Sequence, residues 1–111
     1  MELSKQTLVL RVLFVKTGEL WAAQCIDYDI AVQGDSVREA KQAFEKAIIG
    51  QILFDLNQGR VPLSNFRAAP DSYREKFDEA ERLADDSPLE LPKGMPPAFI
   101  INQIPKDLRI W

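Results

Sequence analysis

Between Thr7 and Lys16 large apolar and β-branched residues crowd together with no helix-capping side chain, a pattern that predicts a strand. Leu8, Leu10, Val12 and Phe14 share one face of it without a polar break. Val9, Arg11, Leu13 and Val15 share the other, which carries a single charge, so both faces are expected to be at least partly covered. Thr17-Gly18-Glu19 supplies a short glycine turn, and residues 20–26 resume an apolar strand, giving an antiparallel hairpin. Asp27-Tyr28-Asp29 brings turn-forming side chains before a brief third strand at residues 30–33, which Gly34 closes.

The period then changes. Ser36-Val37-Arg38-Glu39 is a capping box, in which the serine hydroxyl accepts from the third backbone N–H and the glutamate reaches back to the serine amide. From Val37 onward Ala40, Phe44, Ala47, Ile48, Gln51 and Ile52 recur at spacings of three and four, with Leu53 and Leu56 widening the stripe, so a helix of about twenty residues is expected. Asn57-Gln58-Gly59 stops it, and Pro62 prevents resumption. Pro70-Asp71-Ser72 opens a second helix through Tyr73, Phe77, Ala80, Leu83 and Ala84, whose thinner apolar face predicts peripheral packing.

From Ser87 onward five prolines interrupt the chain, yet residues 98–104 and 108–111 are too apolar for a solvated tail. A strand is expected at 98–104, added either to the chain's own sheet edge or to a sister subunit by exchange. The expectation is an α+β fold: a three-stranded antiparallel meander with a long helix packed on it, then a second helix and a C-terminal extended segment. It divides into a core at 1–62, a linker with an acidic helix at 63–86, and an apolar proline-rich tail at 87–111.

Composition narrows the chemistry. At 111 residues, 46% of them apolar, the chain has room for one domain with a real core. Histidine is absent, which removes Ser-His and Cys-His nucleophile pairs, imidazole bases and His-containing zinc sites. Seventeen acids against fourteen bases give a net charge of −3, opposite to a nucleic-acid binder's footprint, so no direct nucleic-acid contact is expected. Residues 71–90 concentrate the acidity, with eight acids against three bases. Neither a basic leader nor an apolar run near the ~18 residues of a membrane span is present, so the expected location is the cytoplasm.

The run Cys25-Ile26-Asp27-Tyr28-Asp29-Ile30-Ala31-Val32-Gln33-Gly34-Asp35-Ser36-Val37-Arg38-Glu39-Ala40, set in the order strand, strand, short strand, capped helix, resembles the HicB-like antitoxin family. Gln33-Gly34-Asp35-Ser36-x-x-Glu39-Ala40 is similar to that family's strand-glycine-cap-helix junction, and Gly59-x-x-Pro62 to the segment after its helix. The resemblance covers residues 8–62. It implies a partial ribonuclease-H-like fold and a protein-binding antitoxin, whose partner is a small basic RNA-cleaving toxin of the HicA type. After residue 62 neither a helix-turn-helix nor a ribbon-helix-helix module fits, so autorepression by this chain alone is not expected.

Asp27, Asp29 and Asp35 invite the thought of a Mg²⁺-dependent nuclease, but the first strand lacks the acid such enzymes place there, and turn formation and helix capping account for all three. Cys25 reads as a packing thiol, and the scattered glycines form no phosphate or dinucleotide loop. The expectation is therefore a non-enzyme with no metal and no cofactor. Its candidate partner contacts are the aromatics Trp21 and Tyr28, the turn acids Asp27 and Asp29, and Glu75, Asp78 and Glu79 on the acidic helix, a face suited to a basic toxin. Self-association into a dimer or higher even-numbered assembly is expected as well, and an orphan domain with only that homo-oligomeric role is the alternative.

Overall fold

Leu10–Thr17 form the first strand, β1, and both of its faces are buried because each meets a different helix. The computed structural model describes residues 9–84, 87–91 and 103–111. Gly18, at φ 65°, takes the left-handed turn that returns the chain into β2, Leu20–Cys25. β2 runs antiparallel to β1 with Phe14 opposite Ala23 and Val12 opposite Cys25, and Ala31–Gly34 add as β3 along its far side. The expected meander is present.

The helix α1, Val37–Asn57, starts where the capping box places it. The Ser36 hydroxyl accepts from the Glu39 amide at 3.1 Å. The Glu39 carboxylate accepts from the Asp35 amide at 2.9 Å, one residue earlier than the sequence pattern implies. Ala40, Phe44, Ile48 and Ile52 are its buried stripe, and they pack on Leu10, Val12, Phe14, Ala23 and Cys25 from the sheet. Gly34 makes this contact possible. A Cβ there would lie 2.4 Å from the Ala40 backbone nitrogen, so only glycine lets α1 approach this closely.

The second helix, α2 at Asp71–Glu79, lies against the opposite face. Phe77 is 2% exposed and packs with Leu13 and Ile26, flanked by Val15, Tyr73 and Ala80. Two guanidiniums stand over its ring, Arg109 at 4.4 Å and Arg11 at 5.9 Å from the centroid. The apolar spacing predicts that this helix continues to Leu83 and Ala84; it does not. Ala80 turns extended and Glu81–Arg82 become β4, because pairing with the C-terminal strand satisfies their backbone groups where a further helical turn would leave that strand's edge bare.

Beyond α2, Leu89–Glu90 (β5) pair with Gln103–Ile104 (β6) in a small second sheet that seats Leu89, Leu91 and Ile104 in the main core. Lys106–Ile110 (β7) lie parallel to β1, with Leu10 opposite Lys106 and Phe14 opposite Ile110, which completes a five-stranded sheet in the order β3-β2-β1-β7-β4. Of the expected strand at 98–104, residues 98–102 fall outside the described set. The main C-terminal strand is the later apolar cluster, and it docks on the chain's own sheet. Among the described residues no helix is long and apolar enough to cross a membrane.

Candidate functional site

The register fixes what the second sheet face offers. Leu13, Val15 and Thr17 of β1, Ala22 and Gln24 of β2, and Ala31 and Gln33 of β3 all point to the side on which α2 lies. α2 covers only the β1 end. Among the described residues no element lies over β2 and β3, which leaves an open groove of about 600 Å³ floored by Ala22, Gln24, Ala31 and Gln33 and walled by Tyr73 and Lys76 of the helix. Its lining is more apolar than polar, with Val15, Ala22, Ala31 and Val32 set between the Gln24 and Gln33 amides. Lys76 stands 5.9 Å from the ring centroids of both Tyr73 and Trp111 at its rim.

The seven candidate contact residues fall into three groups rather than one site. Asp27 is half-buried and grips Arg11: the guanidinium approaches its carboxylate at 2.7 Å, and the Arg11 amide donates to the other oxygen at 3.1 Å. The hydrogen bond to Asp27 raises the Arg11 pKa further, and the charge of Asp78 on α2 adds to it. Asp27 thus ties the hairpin end to the sheet. Asp29 is exposed; it accepts from the Gln24 side-chain amide at 3.0 Å, and its own N–H donates to the Arg67 carbonyl at 2.7 Å.

Trp21 and Tyr28 pack half-buried against the main core, and burial pushes the Tyr28 phenol pKa up. Trp21 lies on the α1 side of the sheet, across from the groove. Glu75, Asp78 and Glu79 are exposed along α2. The aromatic and acidic candidates therefore do not share a surface. Arg11, Gln24 and Lys76 were not singled out by sequence reasoning. Arg11 had a readable signal, being the lone charge on an otherwise apolar strand face, whereas Gln24 and Lys76 acquire their place only through register and helix docking.

Asp55 was also missed. It is fully buried, and its carboxylate accepts from the Leu63 amide at 2.7 Å, the Gln51 amide side chain at 3.0 Å and the Arg60 guanidinium at 3.2 Å. This knot holds Leu63 at φ 64°, a left-handed conformation unusual for a branched residue. Its role is to fasten the loop after α1. Cys25 is likewise fully buried, and desolvation pushes its pKa up to about 11, so the thiol is held protonated. Among the described residues no three His, Cys, Asp or Glu side chains group as metal ligands.

No family model, curated protein or solved structure matches the chain.

Proposed function

We propose that this chain is a non-enzymatic, cytoplasmic protein-binding module of the HicB-like antitoxin type, which neutralises a small basic RNA-cleaving toxin by covering its active site. The observation that supports the reading is the β2-β3 half of the sheet, which no other element covers among the described residues and which α1 backs from behind through the Gly34 contact. The exposed acids Glu75, Asp78 and Glu79 border the same side of the molecule and would attract a basic partner over several ångströms. Asp27 contributes by anchoring Arg11 rather than by touching the partner.

The test is co-expression with the product of an adjacent short, basic, histidine-bearing reading frame. Stoichiometric co-purification and suppression of RNA cleavage are the expected results, and charge reversal at Glu75, Asp78 and Glu79 should slow association and flatten its salt dependence. A cognate reading frame whose product neither binds nor is inhibited sinks the proposal.

One observation favours the homo-oligomeric alternative. Leu53, Phe54 and Val61 are 39%, 53% and 40% exposed near the C-terminal end of α1, an apolar patch that a second copy would cover. Sedimentation equilibrium of the wild type against a Phe54→Ser variant decides it: a dimer lost on substitution supports the alternative, and a concentration-independent monomer removes it.

A further inference from the structure

The five-stranded sheet has two outer strands, and they differ in kind. β4 presents Glu81 and Arg82, two exposed charges on a two-residue strand, which is how natural sheets blunt an edge. β3 carries no charge at all: Ala31, Val32, Gln33 and Gly34. Among the described residues its only strand partner is β2. The hydrogen-bond alternation follows from one contact, the Cys25 amide donating to the Ile30 carbonyl at 2.9 Å. Since Ile30 faces β2, Val32 and Gly34 face it too, and the backbone N–H and C=O groups of Ala31 and Gln33 point outward. Both residues are exposed. Their side chains lie in the floor of the groove on the α2 side, so a strand laid along this edge would send alternate side chains to the same face, beside that groove.

Charge selects the occupant. In the two-fold register that sets Ala31 opposite Gln33 of a second copy, Asp29 and Asp35, which flank β3, would approach the second copy's Asp35 and Asp29. Both carboxylates are exposed, and like charges placed directly across a ladder disfavour pairing. The exposed acids flanking the two ends of β3 therefore disfavour that register of self-pairing and suit a strand with a cation near each end. We propose that the open edge of β3 takes an extended segment of a basic partner protein as an added strand, with cationic side chains opposite Asp29 and Asp35. This rests on the reading of the chain as a binder of a basic protein, and it names where and how that partner is held.

The probe is a pair of synthetic peptides, Lys-Thr-Val-Thr-Val-Thr-Lys and the same sequence with Glu at both ends, titrated into isotope-labelled full chain. The lysine peptide should shift the Ala31 and Gln33 amide resonances and bind about tenfold more tightly than the glutamate peptide. Gln33→Pro removes only an outward N–H, so it should keep the fold and abolish peptide binding. Should that variant fail to fold, Asp29→Lys combined with Asp35→Lys should reverse the peptide preference. Equal binding of both peptides, shifts confined to other strands, no binding, or a wild-type dimer joined at β3 would each overturn the inference. A cognate toxin that binds wild type and Gln33→Pro equally overturns it while leaving the protein-binding reading intact. Peptide binding without any basic protein partner does the reverse.

Discussion

The ammonium of Lys106 in β7 is held by the carboxylate of Glu45 in α1, with the lysine side chain 2% exposed and the glutamate 27%. This pair crosses from the last strand to the central helix on the main-core side of the sheet. Slipping β7 by one position would turn Lys106 to the other face and leave Glu45 unpaired, so the pair specifies register as much as it stabilises.

Its energetics are asymmetric. Glu45→Ala leaves a buried ammonium without a counter-charge and should cost about 2–4 kcal/mol, whereas Glu45→Leu combined with Lys106→Met should come within about 1 kcal/mol of wild type. Urea denaturation of the three proteins measures both values. A Glu45→Ala loss below about 0.5 kcal/mol would mean that the pair contributes little.

Gly34→Ala tests the seat of α1. The added Cβ meets backbone, at 2.4 Å from the Ala40 nitrogen and 2.8 Å from the Glu39 carbonyl carbon, and backbone cannot rotate away. The helix must shift, with an expected loss of about 2–3 kcal/mol, while Gly50→Ala, where a Cβ meets nothing, should stabilise by about 0.5–1 kcal/mol. Thermal melts of the two variants should move in opposite directions.

Asp55→Ala orphans the buried Leu63 amide and loosens the loop it fastens, for an expected cost of about 3 kcal/mol. Asp55→Asn keeps an acceptor and should lose less. Hydrogen exchange at Leu63 provides the local readout: protection should vanish in the alanine variant and persist in the asparagine one.

Stability should also fall in alkali. The native Cys25 thiol holds its proton up to about 11, above the ordinary value of 9.0, so the unfolded chain releases that proton first as pH rises. The stabilisation is fully present below pH 9 and declines toward pH 11, by about 2–3 kcal/mol in all. The Tyr28 phenol, also raised by burial, steepens the decline at the upper end. Chemical denaturation across this range should show the fall in wild type and a shallower one in Cys25→Ala, and a flat profile would contradict the burial argument.

Much of this architecture is legible along the chain because local signals and tertiary packing agree there. Leu10, Val12 and Phe14 on one face and Leu13 and Val15 on the other foretell a strand covered twice, and Ser36 with Glu39 marks the start of α1. The disagreements arise where a distant partner decides. Ala80, Leu83 and Ala84 fit a helical period, yet β7 captures Glu81 and Arg82 into the sheet. The parallel match of Leu10 with Lys106 has no local signature, since it depends on how the intervening chain returns. The candidate contact residues scatter for the same reason: neighbours in sequence such as Asp27 and Tyr28 serve different packing layers.

That parallel match also sets the order of assembly. A nascent chain leaving the ribosome can fold its hairpin and capped helix early, but the flank of β1 destined for β7 waits until nearly the whole described sequence has been translated. During that interval an apolar strand flank is open to any passing polypeptide, so chaperone capture should fall on the hairpin and end when β7 closes beside it.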